Sequence, residues 1–173
     1  MDERKQKLLK QLEAYFQNDE DTEEISLFTK EELGTSMDVL RALITGYGAD
    51  LTDVLAEFSF LPFQNTEVLY FNTVITIRVD VPQEGVTALS GVVSKLNFYL
   101  PYGSFAISSD GSILIYKSST AFPSDWDDNK LYELIETSAD TALSVAESHI
   151  GLLSDVADGK MSLSEFTDTL PQV

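Results

Sequence analysis

The side chains of this chain that are capable of chemistry are carboxylates, hydroxyls and one histidine. The sequence holds 29 Asp and Glu residues, a single His and no Cys. The absence of Cys excludes thiol catalysis, disulfide bonds and thiolate metal sites together. What remains is metal binding by carboxylates, acid–base chemistry by carboxylates or the histidine, and nucleophilic chemistry by hydroxyl groups.

Carboxylate metal binding has one candidate, because residues 158–166, DGKMSLSEF, resemble the second half of a calcium-binding loop. Gly159 would occupy position six of that loop and Glu165 position twelve, where the bidentate carboxylate belongs. Positions one and three would be Ser154 and Val156, and a valine cannot bind a cation. We therefore predict a loop that leads into a short terminal helix, and we predict no metal ion and no other cofactor.

The remaining chemical candidates have simpler explanations than catalysis. His149 follows Val145 on the apolar side of a predicted helix, and we predict a histidine in the core or at its boundary. The hydroxyl cluster at 118–120 lacks the context of a nucleophile elbow and is predicted to mark the end of a strand. The acids Asp125, Asp127 and Asp128 lie where the last helix is predicted to start, and acids at that position stabilise a helix through its dipole. We prefer this explanation to an acid pocket. We predict that the chain is not an enzyme.

The formal net charge of −18 is the compositional outlier. Four of the eleven Lys and Arg residues lie within the first ten residues, so the rest of the chain is more acidic still. Such a field repels phosphate backbones, and we predict no direct contact with nucleic acid. Solubility at neutral pH, attraction to a basic partner protein and mimicry of a polyanion all remain compatible with it.

The hydropathy pattern predicts neither a signal peptide nor a membrane span. Charged residues begin at Asp2 without the apolar region that a signal peptide carries. No window approaches the roughly 18 apolar residues that a span requires. We expect a cytoplasmic protein that makes no contact with a membrane.

The first third of the chain contains one clear helix and two ambiguous segments. Residues 2–16 place leucines and aromatic residues at helical spacing and predict an amphipathic docking helix. Residues 17–36 begin with a solvated acidic run and are either flexible or ordered, with a short edge strand at 25–28 as one outcome. Residues 37–48 fit a helix or a strand, because short apolar runs do not distinguish the two by periodicity.

The middle of the chain predicts a sheet with one buried face. Apolar and polar residues alternate along 54–60 and along 66–81, as strands require. We expect one face of the second strand to be apolar throughout, as far as Val79 and Val81. Residues 63–66 are predicted to form the turn between the two strands.

The second half of the chain predicts a helix, a hairpin and a long helix. An apolar stripe over 86–100 ends before Pro101, which disfavours helix continuation. Asp110 and Gly111 suit the turn of a hairpin, and Ser124 suits the cap of the last helix. The element order predicts an α+β fold in a single domain over 1–173.

Residues 96–119, LNFYLPYGSFAISSDGSILIYKSS, resemble the central signature of the YbjN-like family of bacterial proteins. That signature is a helix ending in an Asn-aromatic pair, then Leu-Pro-aromatic-Gly-Ser-Phe, then a hairpin. The resemblance implies a fold like that of type III secretion chaperones, a twisted antiparallel sheet with a three-strand meander and a hairpin packed against helices. It makes 37–48 the first strand of the meander. It also implies a regulatory or chaperone-like role, and it brings no catalytic residues.

Four apolar residues do not fit the buried face of the predicted sheet, namely Leu55, Leu61, Phe63 and Tyr70. Apolar groups on the other face suggest a contact surface for another protein or for a homodimer, unless a terminal helix covers them. The leading hypothesis is a non-enzymatic, protein-binding, chaperone-like or regulatory adapter that uses this patch or the sheet edges. The alternatives are a small-molecule-binding or hydrolytic protein with buried carboxylates, which requires an acid pocket with a raised pKa, and an acidic polyanion mimic.

Overall fold

A six-stranded antiparallel sheet organises the chain. The structure is a computed structural model and describes residues 2–48, 51–63 and 67–169. The strands lie in the spatial order β1-β2-β3-β4-β6-β5, and every neighbouring pair is antiparallel. The strands are β1 Thr22–Phe28, β2 Val39–Tyr47, β3 Thr52–Phe60, β4 Val68–Arg78, β5 Ser104–Ile107 and β6 Leu114–Pro123. The sheet is open, and the predicted antiparallel α+β class is confirmed. The meander has four strands where the resemblance implied three.

Helices precede, interrupt and follow the sheet. They are α1 Asp2–Phe16, α2 Lys30–Leu33, α3 Val86–Tyr99, α4 Asp128–Ala157 and α5 Leu163–Thr169. Across the three described ranges, none of the helices combines the length and the apolar character that crossing a membrane requires. The predicted first helix and the predicted end of α3 before Pro101 agree with these bounds.

One face of the sheet, here called the inner face, carries the core. On β4 the buried side chains alternate strictly, and those of Leu69, Phe71, Ile75 and Ile77 are buried. The expectation for Val79 is wrong, because this residue is 59% exposed. The strand ends at Arg78, and the backbone turns away through a left-handed residue at Asp80, so the alternation does not continue.

The ambiguous early segments both contain strands. Within 17–36 the chain forms the edge strand β1 and the short helix α2, which begins with a capping box between Thr29 and Glu32. Residues 37–48 contain the strand β2, which pairs with β1 on one side and β3 on the other. The predicted turn at 63–66 lies largely outside the described residues.

The helices α1 and α4 pack against the inner face of the sheet. The ring of Phe16 on α1 stacks on that of Phe58 on β3, with centroids 5.2 Å apart, and Phe58 stacks in turn on Phe71 of β4 at 6.1 Å. On α4, the alanines Ala139 and Ala142 are fully buried. Small side chains at such positions let a helix approach a sheet closely.

Two basic side chains of α1 join this helix to the start of α4. Arg4 donates hydrogen bonds to the carbonyl oxygens of Ser124 and Trp126, and its Nε lies 2.8 Å from Oδ1 of Asp128. Lys7 lies 2.7 Å from the other carboxylate oxygen of Asp128. The cap of α4 is Asp127, which accepts from the backbone N–H of Lys130, so the prediction of Ser124 as the cap is wrong. The backbone N–H of Ser124 instead extends the pairing of β6 with the start of β4.

The strand β6 is longer than the sequence suggested. Its ten residues pair with β4 along nearly their whole length, from Leu114 to Pro123. The hydroxyl cluster at 118–120 therefore lies inside the strand, and the prediction that it marks the strand's end is wrong. The partner strand overrides the local preference of serine and threonine for strand ends.

The link between α3 and β5 depends on a glycine with no room for a side chain. Gly103 has φ +67, and a Cβ atom there would overlap the hydroxyl group of Tyr116. That hydroxyl donates to the carbonyl oxygen of Tyr102 at 2.9 Å. Gly34 has a similar φ of +63 but open space around it.

We expect Gly103→Ala to destabilise the protein more than Gly34→Ala. Both substitutions place an L-residue in the left-handed region, which costs about 1 kcal/mol. Only the first also displaces Tyr116, which adds about 2 kcal/mol of overpacking and lost hydrogen bonding. Urea denaturation of the two variants measures the difference, and equal losses of unfolding free energy would contradict it.

The turn of the hairpin is stabilised by the carboxylate of Asp110. It accepts hydrogen bonds from the hydroxyl of Ser108 at 2.5 Å and from the N–H and hydroxyl of Ser112 at 3.1 and 2.8 Å. These bonds lower the pKa of Asp110 to about 2, with the Ser108 hydroxyl as the largest cause. Gly111 completes the turn with φ +79.

We expect Asp110→Asn to lower the stability at pH 7, because the ionised carboxylate is the form that the turn binds. The pKa is lower in the folded state than in the unfolded state, so the stabilisation is complete above about pH 4 and disappears as the pH falls to about 2. The stability difference between the wild type and the variant should therefore shrink over that interval. A constant difference between pH 5 and pH 2 in thermal unfolding would rule out this role.

Candidate protein-binding surface

The second face of the sheet, here called the outer face, can be defined from the pairing register. Residues directly opposite one another on neighbouring strands share a face, and three rows of such residues cross the sheet on this side. The rows are Phe28, Val39, Ser59, Asn72 and Ser119; Ser26, Arg41, Glu57, Val74, Lys117 and Ser104; and Glu24, Leu43, Leu55, Thr76, Ile115 and Ala106.

Apolar side chains of the outer face form a layer separate from the core. Leu43 and Leu55 are register partners on β2 and β3, and Val74 and Ile115 lie on the next two strands. None of these residues belongs to the core or to the partly buried side chains that pack against it. The helical residues that pack on the core lie on the other side of the sheet. In the described part of the chain, the outer face therefore has no helix over it.

The four residues singled out from the sequence lie on this side of the sheet but not in one patch. Leu61 lies opposite Tyr70 and donates its N–H to the Tyr70 carbonyl oxygen at 2.9 Å. The ring of Phe63, which is 57% exposed, packs edge-on against the Tyr70 ring with centroids 5.1 Å apart. Leu55, which is 36% exposed, lies six residues before Leu61 and so about 20 Å away along the strand.

The neighbours of Leu55 were missed because the pairing of their strands with β3 and β4 was not predicted. Leu43 belongs to the segment whose type was undecided, and Ile115 belongs to a hairpin strand whose partner was unknown. Once β2 is paired with β3 and β6 with β4, alternation puts both residues on the outer face. The apolar layer around Leu55 is thus a product of strand pairing between distant segments.

The outer face carries little of the net charge. Its charged residues are two bases, Arg41 and Lys117, and three acids, counting Asp53 at its margin with Glu24 and Glu57. Arg41 Nε lies 2.7 Å from Glu57 Oε1, and its guanidinium group lies 5.3 Å from the centre of the Phe28 ring. A face with a formal charge near −1 in a chain of −18 leaves nearly all the excess acid on other surfaces.

On each edge strand of the sheet, a side chain from a helix takes backbone groups of one residue. On β5, the side-chain amide of Asn97 accepts from the N–H of Phe105 at 2.8 Å and donates to its carbonyl oxygen at 2.9 Å. On β1, the N–H of Leu27 donates to the carboxylate of Glu13 at 3.2 Å. These side chains take backbone groups that an added strand would need.

The candidate residues for chemistry do not assemble into a catalytic group. Nδ1 of His149 lies 2.8 Å from the Val145 carbonyl oxygen, and its ring packs on Phe105 at the core boundary. The carboxylate of Glu165 accepts from the N–H and hydroxyl of Ser162, and these bonds lower its pKa, while the Ser162 hydroxyl accepts from the Glu165 N–H and caps α5. Within the described ranges, no group of three or more potential ligands is placed to hold a metal ion.

The acids before α4 are used in structural contacts rather than gathered in a pocket. Asp127 caps the helix, and hydrogen bonds from Lys7 and Arg4 hold the pKa of Asp128 below its usual value. Asp125 is exposed. The capping interpretation is confirmed for Asp127, whereas Asp128 is held by its salt bridges to α1.

One carboxylate has a raised pKa, but it does not line the cavity that lies between α3, α4 and α5. Burial raises the pKa of Asp140 on α4, and the hydroxyl of Tyr15 donates to it at 2.9 Å. A cavity of about 380 Å³ lies between α3, the end of α4 and α5, with Glu84 and Glu165 at its wall, and Asp140 does not line it. The pocket that the hydrolytic alternative requires is not formed at this cavity.

These features define an α+β protein with a one-sided antiparallel sheet, whose outer face and acidic helical side differ sharply in charge. Neither a protein-family model nor a curated protein sequence matches the chain.

We expect Asn97→Ala to destabilise the protein by about 1–3 kcal/mol, because the two bonds to the backbone of Phe105 are partly buried and have no replacement within the chain. Asn18→Ala serves as the control, since Asn18 makes a single exposed bond to the Ala14 carbonyl oxygen. Amide hydrogen exchange should also become faster at Phe105 in the first variant. Unchanged exchange at that amide would show that Asn97 does not close the edge.

Proposed function

We propose that the chain is a non-enzymatic protein-binding module that recognises another polypeptide with the outer face of its sheet. The observation that carries the proposal is the apolar layer around Leu43 and Leu55, which no helix of the described chain covers. Apolar side chains left accessible on a sheet face are a feature that soluble proteins use for contacts with other proteins. The resemblance of 96–119 to the YbjN-like family supports the same regulatory or chaperone-like role, in the cytoplasm.

The outer face suits this role better than the sheet edges. Addition of a partner strand requires a row of free N–H and C=O groups. Asn97 and Glu13 occupy such groups at Phe105 and Leu27. At these two residues the edges are less open to an added strand, and this favours binding through side chains across the strands.

We expect the acidic surfaces outside this face to speed the first encounter with the partner rather than to form the bound contact. Acids outnumber bases on the turn after α1, on α2 and along α4. Charge at that density steers basic regions of a partner and raises the association rate, with a strong dependence on ionic strength. The apolar contact itself should depend on salt much less.

We expect Leu55→Glu to abolish binding of the partner while leaving the fold intact, since Leu55 is outside the core. The control is Phe98→Glu, because Phe98 is 79% exposed at the end of α3 and lies off the outer face. The wild type and both variants are immobilised and exposed to native lysate, and the bound polypeptides are identified by mass spectrometry. Radical footprinting of the complex then maps the protected residues.

The proposal is supported by a polypeptide that the wild type and Phe98→Glu retain and Leu55→Glu loses, together with protection of Leu43 and Ile115 in the footprint. It is overturned if Leu55→Glu retains every polypeptide that the wild type binds. Circular dichroism and thermal unfolding of the three proteins establish that the variant is folded.

A further inference from the structure

We infer that the cavity between α3, the end of α4 and α5 binds a small organic molecule with an apolar body and a positively charged ammonium group. None of the residues that line this cavity belongs to the outer face of the sheet, so the inference does not rest on the proposed function. It is carried by the size of the cavity, by its apolar wall and by the carboxylate oxygens that the chain leaves unbonded there.

The cavity has the size and the wall of a small-molecule site. Its volume of about 380 Å³ lies within the range of roughly 300–1,000 Å³ that such sites occupy. Apolar side chains reach the wall from all three helical segments, namely Ala88 on α3, Val156 on α4 and Met161 just before α5. Gly85 and Gly159 also line the cavity and add no side chain to it. The wall therefore suits a short apolar chain or ring.

The base and the hydroxyl group of the wall are already bonded within the chain. Nζ of Lys160 lies 3.2 Å from Oδ2 of Asp158 and 3.7 Å from Oδ1 of Asp155. The hydroxyl of Ser162 donates to Oε2 of Glu165 at 2.7 Å and accepts from the Glu165 N–H at 3.2 Å. Neither side chain has much capacity left for a ligand.

The free hydrogen-bonding capacity of the wall is therefore carboxylate oxygen. Glu84, just before α3, is exposed, and its carboxylate makes no hydrogen bond or ion pair with any residue in the described part of the chain. The bonds of Glu165 to Ser162 use Oε2, so Oε1 is also left as an acceptor. An ionised carboxylate accepts hydrogen bonds but donates none, so the ligand has to be the donor. An ammonium group donates and adds an attraction of charge.

The start of α3 is the one feature that would favour an anion instead. Gly85 is the N-cap of this helix and provides no side-chain cap, and the positive end of a helix dipole amounts to about half a charge. Glu84 places a full negative charge beside it. Glu165 adds a second, while the charge of Lys160 is offset by its two aspartate partners. The balance of charge around the cavity therefore favours a cation.

Methyl NMR of the purified full-length chain with ¹³C-labelled methionine tests the inference, with hexylammonium, 1-hexanol and hexanoate as probes. Met161 lines the cavity and Met37 does not, and Met161→Leu assigns the signal. At constant ionic strength, we expect hexylammonium to shift the Met161 signal saturably and to leave Met37 unchanged. The other two probes should bind about threefold more weakly or worse, as is typical of the loss of one exposed charge contact.

Variants locate the ammonium group and the apolar body. Glu84→Gln should weaken the binding of hexylammonium about threefold and leave that of 1-hexanol unchanged. The matched control is Glu133→Gln, which removes the same charge from an exposed position on α4 that does not line the cavity. Ala88→Leu fills the cavity and should abolish the shift with all three probes. Circular dichroism establishes that each variant is folded, and Glu84→Gln decides the matter if Ala88→Leu is not.

The inference is overturned if hexylammonium gives no saturable shift, if the three probes bind equally, or if hexanoate binds most tightly. Equal weakening by Glu84→Gln and Glu133→Gln also overturns it, because the overall charge of −18 would then be the cause. A shift that persists in folded Ala88→Leu places the binding elsewhere and has the same consequence. These outcomes leave the proposed function untouched, since its experiment probes the outer face.

Discussion

The stack of Phe16, Phe58 and Phe71 is the interaction on which the rest of the structure depends. It joins the first helix to the two central strands of the sheet, and all three rings are buried. A sheet whose inner face is this apolar is stable only when that face is covered. The helices α1 and α4 provide the cover, and the salt bridges of Arg4 and Lys7 to Asp128 fix the two helices relative to each other.

Because the helices pack on the inner face of the sheet, its outer face stays open in the described part of the chain. Antiparallel sheets often expose one face, but then that face is normally polar. Here leucine, valine and isoleucine alternate with the serine, threonine and charged residues of the outer face. At the same time the acids are concentrated on the helices and turns. The result is a molecule with two surfaces of different character, one strongly anionic and one nearly neutral and partly apolar.

The sequence predicted those elements whose pattern is local. The alternation of β3 and β4 and the stripe of α3 each require only their own residues, so their assignments agree with the structure. Residues 37–48 remained undecided because a strand between two strands is stabilised by its partners, which the segment itself does not reveal. The cap of α4 was misplaced because Ser124 is held by the end of a strand that the local pattern did not extend so far.

The surface was harder to predict than the fold. Leu55, Leu61, Phe63 and Tyr70 were recognisable as apolar residues on the wrong side of two strands. Their division into two groups follows from the length of β3, and the neighbours of Leu55 come from strands that are remote in sequence. The contacts of Asn97 and Glu13 with edge backbones had no signal in the sequence, because they join a helix to a strand through one side chain.

The contact of Arg4 with residues 124–128 has a consequence for the order of events during synthesis. About 120 residues separate the two sides of this contact, and the slow formation of such distant contacts is general. Helix α1 emerges from the ribosome before α4, and its contact through Arg4 cannot form until the start of α4 has emerged. Until then the inner face of the nascent sheet lacks part of its cover, and exposed apolar surface of this kind favours aggregation in a growing chain.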